Sequence, residues 1–433
     1  MKPVRSRFAV RALASLLLFT AIAGQFWRNL LSWWGWGALA LLLVIACVVA
    51  LIRLRPDWSW RRMPKSLWLF VGFAVLSLAW SFYPGATGVG LAALLTTTVA
   101  ALFLGLCLSW VEFLRTLGVA LRWVLGLSIL FEIYVAGVVG GPVLPFFTDY
   151  EGKVPAAYYW SRGLLFDGGP IEGIVANRNL LAAAALLALI VFGAQLAART
   201  VRRGSGIFWL ATAAVTLALT RSATVMIAVA VVAIALGFAL WARRVGPEGR
   251  RPVYLTATGL LVLGGVLLVS LWGQILALFG KSEDLTGRFD IWSSVAGLAA
   301  ERPVAGWGWV GYWAPWVEPF DDLAVRKGVT YLQAHNAWLD VWMQLGVIGV
   351  VLFAALVIGT LWRSWFLAVD RPREALDDSR PYTATALVPF LLMVAFIVQS
   401  VAESRILIES GWMLLVALAI ITKRNLGRVE TMP

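Results

Sequence analysis

The chain is 433 residues long, 61% hydrophobic and 14% charged, with a mean hydropathy of +0.83. These values exclude a soluble globular domain, and apolar runs of bilayer length from end to end mark an all-α, polytopic membrane protein. The formal net charge of +13 would suit nucleic acid if the basic residues were clustered, but they are spread over short connections instead, so no nucleic-acid partner is expected.

In chain order, hydrophobic patterning predicts spans over 9–27, 33–52, 66–82, 88–109, 118–139, 178–198, 206–220, 222–241, 253–279, 336–362, 383–401 and 405–422, about twelve in all. The first follows basic residues and resembles a signal peptide with an Ala-x-Ala-like end at Ala21–Ala23. Its apolar character continues through Phe26 and Trp27, which favours an uncleaved span. Cys47 and Cys107 lie inside apolar runs without CxxC pairing and read as small buried hydrophobes. The connections 2–11, 53–65, 110–122, 199–203, 243–251, 363–380 and 423–428 hold most of the 36 lysines and arginines. By the positive-inside rule they face the cytoplasm, together with both termini.

On this topology residues 1–433 form one integral membrane domain with two long extracytoplasmic loops, near 140–177 and 280–335. Loops of that length in a compact membrane protein are usually functional or partly disordered. The first carries Asp149, Glu151, Lys153, Arg162, Asp167 and Glu172. The second is rich in charge, from Lys281, Glu283 and Asp284 through Arg288 to Arg326 and Lys327, and in tryptophan: Trp292, Trp307, Trp309, Trp313 and Trp316. Such tryptophans serve either as an interfacial belt or as platforms for a sugar or a lipid tail.

Arg221 interrupts the apolar run 206–241, which as one helix would be about 54 Å long, beyond a core of about 30 Å. Two spans must lie between the basic flanks, so Arg221 falls at the outer tip of a short hairpin. It either snorkels or meets an anion there. His335 is the one histidine, and its imidazole suits proton transfer near neutral pH; the competing reading is a polar marker of the membrane boundary. Arg288, the cluster Asn177-Arg178-Asn179, and Glu403, Arg405 and Glu409 fall on the same outer side. Three arginines, a histidine and several carboxylates there suggest a site for an anionic substrate. Neither a P-loop, GxGxxG nor HExxH occurs, Gly306-Trp-Gly308 reads as a turn, and the outer carboxylates lack Asp-x-Asp spacing, so no metal-dependent site is indicated.

The segments TGRFDIWSSVAGLAAERPVAGWGWVGY and QAHNAWLDVWMQLGVIGVV resemble the signature region of the O-antigen ligase and O-antigen polymerase superfamily. VANRNLLAAAALLAL and LALTRSATVMIAVAV are similar to its Asn-x-Asn and Ser/Thr-Arg spans, in the expected order, and the resemblance covers roughly 175–350. Family members often have proline between the two asparagines where this chain has Arg178. The resemblance implies a GT-C-like helical fold of about a dozen spans in a bacterial inner membrane. It also implies a polyprenyl-diphosphate glycan donor such as an undecaprenyl diphosphate, and neither metal nor other cofactor. His335, Arg221 and Arg288 match the family's functional positions.

The expected reaction is transfer of a glycan to an acceptor hydroxyl on a glycan, glycolipid or wall polymer, with inversion. His335 acts as general base, and Arg221 and Arg288 hold the departing diphosphate. Asn177, Arg178, Asn179, Asn336, Asp340, Glu403 and Arg405 are supporting candidates. Alternatives are a polysaccharide polymerase of the same superfamily, a transporter or flippase of a polar or lipid-linked substrate, and an assembly subunit of an envelope complex.

Overall fold

The computed structural model describes residues 4–148, 154–270, 274, 283–326, 329–371 and 381–425. Asp149, Glu151, Lys153, Lys281 and Lys327 lie outside these residues, as do the end of the expected span 253–279 and parts of the basic connections at 2–11, 363–380 and 423–428.

Thirteen α-helices make up the described residues: α1 Val4–Ile22, α2 Gly24–Leu54, α3 Lys65–Leu76, α4 Pro84–Cys107, α5 Trp110–Tyr134, α6 Arg178–Ala197, α7 Arg203–Thr220, α8 Ala223–Val245, α9 Arg251–Ser270, α10 Glu283–Glu301, α11 Ala337–Val369, α12 Val388–Ser400 and α13 Glu409–Asn425. A two-residue hairpin, β1 Val325–Arg326 with β2 Val329–Thr330, is the one sheet among them. Among the described residues, six helical segments are long and apolar enough to cross a membrane: Gly24–Leu54, Pro84–Cys107, Trp110–Val139, Arg178–Ala197, Ala223–Val245 and Ala337–Val369. The protein is thus an all-α polytopic membrane protein.

The packing explains the composition. Every side chain of α13 from Trp412 to Ile421 is buried, as expected of a helix apolar all round that forms the centre of a bundle. It packs on α4, α11 and α1. The outward faces of α2, α4, α8 and α9 instead expose leucine, isoleucine and valine, a surface stable only in lipid. Cys47 and Cys107 are both buried and unpaired, as their apolar runs suggest.

Element boundaries move in informative places. α5 begins at Trp110 rather than near 118, because Ser109 and Glu112 form a reciprocal capping box. The first two spans divide at Ala23, and α2 is broken again at Ser32 (φ 64, ψ −180). The segment read as a long second loop opens with α10, whose mixed apolar and charged face is invisible to a search for spans. The apolar run 206–241 is divided at Arg221, as read: α7 ends at Thr220, Arg221 adopts the left-handed conformation, and Ser222 caps α8, while α7 packs on α6 rather than on α8.

Candidate active site

Three helices start the same way at one end of the bundle. A residue in the left-handed region reverses the chain, and the next residue caps the helix. The pairs are Ala176 (φ 53) with Asn177 on α6, Arg221 (φ 50) with Ser222 on α8, and His335 (φ 50) with Asn336 on α11. Asn177 Oδ1 accepts from the backbone N–H groups of Asn179 (2.9 Å) and Leu180 (3.1 Å). Asn336 Oδ1 does so for Trp338 (3.0 Å) and Leu339 (3.3 Å). These two asparagines spend their acceptors on capping, while Arg221 and His335 are fixed at the mouths of their helices. Asn179 accepts at 2.8 Å from the Ser222 hydroxyl, tying α6 to the α7–α8 tip. Arg178 occupies the first turn of α6 between them.

The turn between α12 and α13 supplies Glu403, the hub of the site. Its Oε2 lies 2.9 Å from His335 Nδ1, and its Oε1 accepts from Arg288 Nη2 at 2.9 Å. Arg288 also reaches Thr224 Oγ1 at 3.3 Å, three residues after Arg221. Gln333 Nε2 stands 3.5 Å from Glu403 Oε2, and its own side-chain oxygen is buried without a partner. Burial alone would raise the Glu403 carboxyl. Its contact with His335 and the charges of Arg288 and Arg405 outweigh that, holding it below the ordinary 4.5. An ionised Glu403 can only accept, so the His335 nitrogen facing it, Nδ1, is the one that carries a proton, which leaves Nε2 as the ring atom turned away from the carboxylate.

A second network adjoins the first. Arg405 donates from Nη1 to Tyr312 Oη at 2.8 Å and forms an ion pair with Glu409. Glu409 is also paired with Arg28 at 2.6 Å. Arg28 is 7% exposed and lies 5.0 and 4.9 Å from the rings of Trp33 and Trp36. Burial pushes the Tyr312 phenol up to about 12 despite the Arg405 charge beside it, so it is a donor throughout the neutral range. Arg28 and Tyr312 are absent from the sequence-derived candidates. An arginine between a tryptophan and an asparagine inside the long apolar stretch 24–54 was the available signal.

Asp340, wholly buried, accepts from Trp313 Nε1 (2.8 Å), from Ala334 N–H (3.0 Å) and from the Ser404 hydroxyl. It therefore holds the His335 loop against the α12–α13 turn. The tryptophans are largely structural. Trp309 and Trp313 are fully buried, Trp307 is nearly so, and Trp292 donates to Ala334 O at 3.0 Å. That corrects the reading of all five as a belt or as platforms: Trp316 alone among them is strongly exposed, at 77%.

A cavity of about 60 Å³ is lined by Asn179, Thr224, Glu403 and Arg405 together with apolar residues that include Leu180, Ala184 and Phe396. Arg221 is exposed and does not join the Glu403 network; its Nη2 faces the first loop at Gly168.

The structure so far defines a polytopic helical membrane protein with a histidine–carboxylate–arginine site at one end of its bundle. Residues 206–354 match the family model described as O-antigen ligase. The matched segment runs from α7 into α11 and contains Arg221, Arg288 and His335, which supports a relationship to the O-antigen ligase/polymerase superfamily. Glu403 and Arg405 lie beyond it. No curated protein matches the chain at a significant level.

Proposed function

We propose that the protein is an inverting glycosyltransferase that moves a glycan from a polyprenyl diphosphate to an acceptor hydroxyl at the extracytoplasmic side of the bacterial inner membrane. The observation that carries this reading is the position of Glu403 between His335 and Arg288, at 2.9 Å from each. His335 Nε2 takes the proton of the acceptor hydroxyl while that oxygen attacks the anomeric carbon. The bond from that carbon to the diphosphate breaks, and its electron pair leaves on the phosphate oxygen. Arg288 and Arg221 neutralise the growing charge by bidentate donation, so the charge is met by guanidinium and no separate general acid is required. One displacement inverts the anomeric centre. The acceptor is a glycan, glycolipid or wall polymer. Ligase and polymerase differ in acceptor and share this step. In this reading the chain has about twelve spans and both termini are cytoplasmic, as the basic connections suggest, so that the site faces the outer surface.

The test is transfer by purified protein in nanodiscs, with lipid-linked glycans from the source cell as donor. Wild type should form product, and correctly folded His335→Ala should lose about 10²–10⁴ in rate. Equal product from both removes His335 as base. No product from either, with donor and acceptor competent, removes the enzymatic reading in favour of transport.

A further inference from the structure

The end of the bundle away from His335 holds an arginine whose partners are all neutral. Asn179 on α6 lines the cavity beside Glu403, whereas Gln195 lies about 24 Å further along the same helix. At the level of Gln195, Arg122 of α5 donates from Nη2 to Gln195 Oε1 at 3.1 Å and lies 5.2 Å from the Phe192 ring centre. Its Nε is buried without a hydrogen-bond partner.

This arrangement is built rather than incidental. Gln195, 5% exposed, donates its amide to Leu114 O at 3.0 Å, which commits its oxygen to Arg122. Gly118 leaves room for that amide, since a Cβ there would stand 2.9 Å from Gln195 Nε2. Side chains on a helix lean toward its N-terminus, so Arg122 is carried toward this end of the bundle, where headgroups begin.

Four further arginines approach the same place. Arg115 sits two turns before Arg122 on one face of α5. Arg199, Arg202 and Arg203 lie in or beside the α6–α7 turn, which is bonded back to Gln195 O by Thr200 N–H at 3.0 Å. Among the described residues none of the five has an ion-pair partner. Glu112, one turn before Arg115, is held by Arg7 at 3.2 Å and by the Ser109 cap. Trp123, Ile207 and Phe208 beside the cluster are exposed apolar side chains.

A guanidinium at the membrane boundary with only neutral partners is costly unless an anion comes from outside the chain. We propose that the arginine-bearing surface where α5, α6 and the α6–α7 turn meet binds the phosphate of an anionic membrane phospholipid. Arg122 grips the phosphate, the four outer arginines add attraction, and the exposed apolar side chains receive the acyl chains. This site is independent of glycan transfer.

The experiment uses delipidated full-length protein in detergent, titrated with phosphatidylglycerol, phosphatidylcholine or inorganic phosphate and followed by native mass spectrometry and thermal unfolding. Phosphatidylglycerol should be retained and should raise Tm, with the other two ineffective. Arg122→Gln should weaken phosphatidylglycerol binding about fivefold. The exposed pair Arg115→Gln/Arg203→Gln should weaken it comparably and more at low than at high salt, and this pair keeps the test open if the buried variant fails to fold. Equal binding of phosphatidylcholine, equal stabilisation by inorganic phosphate, or unchanged phosphatidylglycerol binding in the folded variants would each overturn the proposal.

Discussion

Glu403 divides its two oxygens between His335 and Arg288, so changing it disturbs both at once. With Glu403→Ala, His335 loses the acceptor that fixes its tautomer and Arg288 loses its ion pair, and transfer should fall by at least about 10²-fold. Glu403→Gln keeps one acceptor and removes the charge. Because the carboxyl is held below 4.5 in the folded protein, its stabilising contribution is complete above that value and fades as pH falls through the folded value. Thermal unfolding from pH 7 to pH 3.5 should therefore show wild type more stable than Glu403→Gln at neutral pH, with the gap closing below about 4.5. A gap that stays constant to the acid end would show that Glu403 is not ionised by its partners. At this scale the sequence marked Arg288, His335 and Glu403, rare polar residues flanking apolar runs that the structure brings together, while Arg221, marked the same way, stands apart from them. Arg28 was not legible in the sequence, since its ion pair with Glu409 joins residues far apart in the chain. Asn177 and Asn336 needed coordinates to be recognised as caps.

Among the elements, α11 shows how irregular backbone is tolerated in a membrane bundle. It breaks at Gly346 (φ 63, ψ −169), and the segment Pro303–Gly308 takes up the freed groups. Val347 N–H donates to Pro303 O at 2.8 Å, Trp307 N–H to Met343 O at 3.0 Å, and Gly308 N–H to Gln344 O at 2.9 Å. The second loop is thus locked to the helix that begins just after His335, which is how an irregular segment remains stable near the membrane. A Cβ on Gly346 would lie 2.1 Å from Val304 O, and its backbone angles belong to a region open essentially to glycine alone. Gly346→Ala should cost about 3 kcal/mol or more, visible as a lowered Tm and poor recovery of monodisperse protein. A variant as stable as wild type would mean that loop and helix are not held together there. Sequence patterning found α11 as an apolar run, yet the break is a tertiary property, and nothing in the periodicity around Gly346 announces the loop that fills it.

Across the whole molecule, the arginines read as a topology signal also finish helices. Arg424 donates to Gly105 O (3.0 Å) and Leu106 O (3.3 Å), and Arg7 to Cys107 O (3.3 Å), at the end of α4. Arg243 donates to Ala368 O (2.6 Å) and Arg250 to Val369 O (2.7 Å) at the end of α11. Cations on C-terminal carbonyls satisfy orphan acceptors and complement the helix dipole. These arginines therefore serve folding as well as any role in orientation, and only the latter was readable from sequence position alone. The charge asymmetry also yields a test of orientation. Cys47 and Cys107 are buried and should stay silent toward a membrane-impermeant maleimide. Trp316→Cys replaces a side chain that is 77% exposed on the segment before His335 and should label in intact spheroplasts. Arg244→Cys, exposed at the end of α8, should label only after the membrane is permeabilised. Reversal of the two patterns would put His335 and Glu403 on the cytoplasmic side, where a donor presented at the outer surface cannot meet them, and the proposed reaction would fall with the topology.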